Sequence, residues 1–104
     1  LKTSPAILVV DDEPVIRDTL AEFLGQEGFD VVACGSGEDA LAAAAGRKFD
    51  AALCDVNLPG LDGIEVLERL AKVSPETGVL LITAYATVDT AVEAFQKGAH
   101  DYLM

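Results

Sequence analysis

The chain has 104 residues, with 7 Lys and Arg against 18 Asp and Glu, a formal charge of −11 and a sequence pI near 4.1. With 51% hydrophobic residues it reads as a single globular domain with its own core, not as a disordered acidic tail. So acidic a surface argues against direct nucleic-acid binding, which rests on Lys and Arg neutralising phosphates. No apolar run approaches the roughly 20 residues that span a bilayer, and Leu1 to Ala6 has no signal-peptide pattern, so a cytoplasmic protein without membrane contact is expected.

Ala6 to Val10 is a continuous apolar run, the first predicted strand. Glu13 is placed to cap a helix carrying Pro14 at its first position, with Ile16, Leu20, Phe23 and Leu24 on one face and Gly28 as its stop. Phe29 to Ala33 reads as a second, less apolar strand. Ser36 to Asp39 has capping-box spacing ahead of the alanine-rich helix Ala40 to Ala45, with Gly46 past its end. Ala51 to Cys54 is the third strand. Asp62 can cap a helix bearing Ile64, Leu67 and Leu70, which Ser74-Pro75 terminates. Val79 to Ile82 is the fourth strand. Ala86 or Thr87 opens a fourth helix, with Val88, Val92 and Phe95 inward and Gly98 as stop, and Asp101 to Met104 is the fifth strand.

Unbroken apolar strands alternating with helices predict a parallel sheet covered on both faces, and right-handed crossovers make it a doubly wound α/β fold. In such sheets ligands bind outside the carboxyl ends of the strands, where the strand order reverses. Three strands end in polar residues at that edge: the first in Asp11-Asp12-Glu13, the third in Asp55, the fourth in Thr83. Were the first and third strands neighbours, about 4.8 Å apart, then Asp11, Asp12 and Asp55 would converge, and a cation would relieve their repulsion. Mg²⁺ suits an all-oxygen site that keeps waters and needs few carboxylates, so a Mg²⁺ site open to a phosphoryl oxygen is expected. An acidic strand edge is often only a solvated rim, but Asp55 follows an apolar strand and precedes the rigid Pro59-Gly60 turn. Cys34 and Cys54 lack any metal or redox spacing and read as buried thiols; His100, the single histidine, reads as a loop residue.

Val9-Val10-Asp11-Asp12-Glu13, then Asp55 with Leu58-Pro59-Gly60-Leu61-Asp62-Gly63, then Leu81-Ile82-Thr83-Ala84, then Gly98-Ala99-His100-Asp101-Tyr102-Leu103 together resemble the receiver domain of bacterial two-component response regulators. The wording around Thr83 and Gly98 is most similar to receivers of nitrogen-regulator-type transcriptional activators. The resemblance implies a flavodoxin-like sheet of order 2-1-3-4-5 and a role in phosphorelay signalling, with Asp55 accepting a phosphoryl group from a sensor histidine kinase. It implies that Asp12 and Asp55 bind Mg²⁺ through their side chains, Asn57 through its backbone carbonyl and Asp11 through water. Thr83 would offer a hydroxyl to the phosphoryl group, Ala84 would leave the approach clear, and Thr83 with Tyr102 would form the switch that drives an output domain or partner protein. Asn57 and Tyr85 stand where the family tunes loss of the phosphoryl group by water, a slow autodephosphorylation and not conventional enzyme turnover.

The family places a lysine, followed by proline, directly after the fifth strand, which would be position 105; Lys97 lies before that strand, so no catalytic lysine is assigned. The family's fifth helix would follow that lysine. Residues 1–104 are therefore expected to be a receiver incomplete at its carboxyl end, with a homodimer as one consequence of uncovered apolar surface. Competing readings are a docking receiver that is not phosphorylated, an aspartate-nucleophile phosphatase, which would want Asp-x-Asp where Glu13 stands, and a flavodoxin-like electron carrier, for which Asp11-Asp12-Glu13 is hostile to a flavin phosphate.

Overall fold

The computed structural model describes residues 4–55, 63–82 and 101–103. Chain order is β1 (Ala6–Val10), α1 (Pro14–Gln26), β2 (Asp30–Cys34), α2 (Gly37–Gly46), β3 (Ala51–Asp55), α3 (Gly63–Val73), β4 (Gly78–Ile82) and β5 (Asp101–Leu103). All pairings are parallel and the sheet order is β2-β1-β3-β4-β5, the doubly wound, flavodoxin-like arrangement expected. The fourth helix falls at positions 86–98, outside the described residues.

The apolar run of β1 is buried at every position, as a strand flanked by β2 and β3 requires. β3 and β4 bury Ala52, Cys54, Val79 and Leu81 completely or nearly so and half-bury the residues between them. α3 lays Ile64, Val66, Leu67 and Leu70 into the core beside Leu8, Val10 and Leu81, and α2 adds Ala40 and Ala44. Small alanines let α2 approach the sheet closely. Its Ser36 cap forms as expected, Oγ accepting the Asp39 N–H at 3.1 Å, while Gly46 is the helix's last residue and not the one beyond it.

Two expectations need correction. β2 starts one residue later than predicted, at Asp30, because the Asp30 N–H is committed to the Pro5 carbonyl at 2.9 Å and so opens the ladder. On α1 the four residues predicted to share a face are covered unequally. Leu20 and Leu24 are partly buried, but Ile16 is 49% and Phe23 57% exposed, and α1 buries no residue fully. Glu13 does sit at the cap position, but its side chain makes no capping bond.

The two edges of the sheet differ in chemistry. At the amino edge polar groups are consumed internally: Asp50 accepts the Ala6 N–H at 2.8 Å, and the Thr77 hydroxyl donates to the Phe49 carbonyl at 2.8 Å while lying 2.7 Å from Ser74 Oγ. Arg47 pairs with Asp30 at 2.9 Å and lies 5.1 Å over the Phe49 ring. The carboxyl edge carries acids instead.

Candidate functional site

β1 and β3 are direct neighbours, Val10 pairing with Cys54, so the residues that follow or end these strands emerge side by side. Asp11 comes one residue after β1 and Asp55 is the last residue of β3. One carboxylate oxygen from each of Asp11, Asp12 and Asp55 lies within 4.8 Å of the others, with Asp11 buried, Asp55 intermediate and Asp12 exposed. The convergence expected from the sequence is thus present in the fold.

The backbone fixes Asp11 from two sides. Its N–H donates to the Cys34 carbonyl at 3.1 Å, joining it to the end of β2, and its Oδ1 accepts the Glu13 N–H at 2.9 Å. Burial pushes the Asp11 carboxyl above its ordinary value of 3.8; the bond from Glu13 pulls it back, and the charges of Asp55, Asp12 and Glu13 push it up again. A unit pair 4 Å apart interacts by about 1 kcal/mol in water and about 4 kcal/mol near a protein surface. The site is therefore loaded with like charge that a cation would relieve.

The donor set fits Mg²⁺. All three groups are hard oxygen donors, as that ion prefers. Two oxygens opposite each other on Mg²⁺ stand about 4.2 Å apart, twice its bond of about 2.1 Å. A spread of up to 4.8 Å accommodates direct ligation by two carboxylates with a water before the third.

Of the other expected site residues, Tyr102 belongs to β5, its backbone paired with Leu81. Asn57, Thr83, Ala84 and Tyr85 lie outside the described residues, as do the Pro59-Gly60 turn, Asp62 and His100. Cys34 and Cys54 are both buried and form no disulfide, as expected. They flank Val10 on opposite neighbouring strands, about 9.6 Å apart at two strand spacings, beyond the reach of a disulfide. Burial raises the Cys34 thiol, Asp39 raises it further, and Arg17 lowers it.

Sequence reasoning missed Arg17, whose Nη1 donates to the Asp11 carbonyl at 3.3 Å. The available signal was its spacing: an arginine one helical turn beyond Glu13, whose carbonyl accepts the Arg17 N–H at 2.9 Å, can fold back over the start of its own helix. A separate cleft of about 690 Å³, lined by Phe29, Asp30, Arg47, Lys48 and Asp50 among others, opens at the amino edge. It is wide and shallow, its Arg47 and Asp30 are paired to each other, and the rule that ligands bind at the carboxyl ends of strands points away from it.

Among the described residues no helix is long and apolar enough to cross a membrane. The sequence profile of the response regulator receiver domain family matches residues 7–104. The transcriptional activator protein PfeR of Pseudomonas aeruginosa is 40% identical over 100 residues, covering 96% of this chain and 32% of that protein. A response regulator from Burkholderia pseudomallei, crystallised with a phosphorylated aspartic acid, calcium ion and citrate, superposes with a TM-score of 0.92 at 33% identity, covering 96% of this chain and 59% of that one. The response regulator TrrA of Thermotoga maritima, in complex with Mg²⁺-BeF, superposes with a TM-score of 0.86 at 33% identity, covering 96% of this chain and 85% of that one. The chain spans between 21% and 43% of the length of the curated relatives it matches.

Proposed function

This chain belongs to the response regulator receiver domain family, and on that premise we propose that it works in a phosphorelay, with Asp55 as the residue that accepts the phosphoryl group. The observation that carries the reading is the convergence of the Asp11, Asp12 and Asp55 carboxylates at the carboxyl edge of β1 and β3. Asp55 ends a strand anchored on both sides, by β1 and by β4, so its carboxylate is held in place while a partner kinase approaches. One of its oxygens attacks the phosphorus of a phosphohistidine; the P–N bond breaks, the electron pair returns to the imidazole, and an aspartyl phosphate forms. Phosphoryl transfer needs positioning and charge compensation more than covalent help from the protein.

Asp12 and Asp55 would hold Mg²⁺ through their side chains, Asp11 through a water and Asn57 through its carbonyl. When bound, the ion offsets the charge of the carboxylates and of the phosphoryl oxygens. Thr83 donates its hydroxyl to a phosphoryl oxygen, and the small side chain of Ala84 leaves the approach open. Tyr102, on β5, answers the movement of Thr83 and carries the change toward an output domain or partner protein that regulates transcription.

The finer points of the reading are a sensor histidine kinase as donor, a cytoplasmic setting, no direct contact of this unit with nucleic acid, and slow autodephosphorylation in place of conventional turnover. A homodimer completes it; sedimentation showing a monomer at every concentration removes that point alone. The central test is labelling with acetyl phosphate and Mg²⁺. Wild type should gain one base-labile phosphoryl group, and Asp55→Asn should gain none. Equal labelling of the two would overturn the assignment.

A further inference from the structure

Arg17 touches the acid cluster through the backbone. Its own N–H makes the first-turn bond to Glu13, while its Nη1 turns back to donate to the Asp11 carbonyl at 3.3 Å. The side chain is only 24% exposed, and its remaining ion pair, 3.9 Å to an Asp18 that is 78% exposed, is long and open to solvent, so it contributes little.

Gly35 explains where the guanidinium fits. A Cβ at position 35 would stand 2.6 Å from Arg17 Nη1, closer than real atoms approach, and 3.7 Å from its Cζ, an ordinary contact. Backbone conformation does not call for this glycine: among the described residues only Gly28 has a positive φ. Space does. Gly35 directly follows β2, whose last residue Cys34 accepts the Asp11 N–H, so the guanidinium spans the connection after β1 and the connection after β2.

From this geometry we infer that Arg17 is a positioning residue for the Asp11-Asp12 segment, and that Gly35 is the space it requires. The inference rests on reading Asp11, Asp12 and Asp55 as a Mg²⁺ site. It carries a sign that separates it from simple electrostatics. A positive charge beside a cation site opposes metal binding, so removing Arg17 for its charge alone would tighten Mg²⁺. If Arg17 instead holds the segment that presents Asp11 and Asp12, removing it loosens Mg²⁺, as the loss of outer partners of metal ligands commonly does.

The test is calorimetric Mg²⁺ titration of the 104-residue chain carrying Arg17→Ala, Arg17→Lys, Gly35→Ala, the Arg17→Ala/Gly35→Ala pair, or Asp12→Ala as reference. Arg17→Ala should weaken Mg²⁺ about tenfold. Gly35→Ala keeps every charge and, because Nη1 ends a flexible side chain, displaces the guanidinium and not the backbone; it should weaken Mg²⁺ to a similar degree. The double variant should be no weaker than Arg17→Ala alone, and Arg17→Lys, which keeps the charge but not the planar fork, should recover part of the loss. Mg²⁺ affinity equal to or tighter than wild type in Arg17→Ala or in Gly35→Ala overturns the inference. Circular dichroism and metal-free melting check folding; should Arg17→Ala fail to fold, Gly35→Ala decides. Wild-type affinity in Asp12→Ala would sink the metal reading itself, whereas loss there with full affinity in Gly35→Ala would sink only the role given to Arg17.

Discussion

Asp11 Oδ1 accepts the Glu13 N–H at 2.9 Å, so the most buried carboxylate of the cluster also closes the turn that enters α1. That bond takes up the N–H of the N-cap residue itself, while the Glu13 side chain makes no capping bond to the first turn. One carboxylate thus belongs to the acid cluster and also closes a backbone turn, and charge and hydrogen bonding are separable by mutation.

Asn at position 11 keeps an Oδ1 acceptor and removes the charge. A carboxyl raised above 3.8 by burial and neighbouring acids holds its proton more tightly in the folded chain than in the unfolded one. Metal-free stability therefore falls as pH rises from 3.8 through the higher folded value, with the full penalty standing above it. Asp11→Asn should melt above wild type at neutral pH in chelator, and that gain should shrink toward zero on acidification. Melting curves over roughly pH 4 to 8 check this; a difference that does not vary with pH would show that charge is not the cause.

Asp11→Ala removes the acceptor as well. Losing a side-chain bond at a helix start costs about 0.5–2 kcal/mol, so this variant should melt below Asp11→Asn at every pH. Thermal denaturation of the two side by side measures the difference.

Mg²⁺ that binds only the folded chain stabilises it by about 1.4 kcal/mol at ten times its Kd, a rise of roughly 6–11 °C for a domain this size. Asp12→Ala should abolish that rise while leaving the metal-free melting point near wild type, since Asp12 is exposed. An undiminished response to Mg²⁺ would remove Asp12 from the site.

Thr77→Val is the structural counterpart. It leaves the Phe49 carbonyl and Ser74 Oγ without the Thr77 hydroxyl, at a cost of about 1–3 kcal/mol. Because that cluster lies at the amino edge, Mg²⁺ affinity by calorimetry should not change.

A beryllofluoride mimic with Mg²⁺ tests propagation. Asp55 is paired with Ile82, and Leu81 with Tyr102, so β4 stands between Asp55 and β5. A ligand shifts an equilibrium only toward the state it binds better. Amide NMR signals of β4 and β5 should therefore move together with those of Asp11 and Asp55; changes confined to the acids and their immediate neighbours would refute the switch assigned to Tyr102.

The strands and their order were legible because buried parallel strands need unbroken apolar runs, which Ala6 to Val10 and Val79 to Ile82 supply. The acid cluster was legible because strand ends at one edge of such a sheet must converge. Periodicity on α1 states that Ile16, Leu20, Phe23 and Leu24 share a face; it does not say how much of that face the fold covers. Arg17 and Gly35 were invisible for another reason. A helix arginine and a loop glycine each have an ordinary explanation, and only their mutual contact gives them another.

α1 buries no residue fully, whereas α3 buries Ile64, Val66, Leu67 and Leu70. Amide exchange should follow this contrast, with α1 opening at low free energy and α3 near the global limit. α1 begins three residues after Asp11, on the far side of the Asp11–Glu13 bond. Should Mg²⁺ quiet Asp11 and Asp12, exchange protection gained in α1 on adding Mg²⁺ should exceed that in α3.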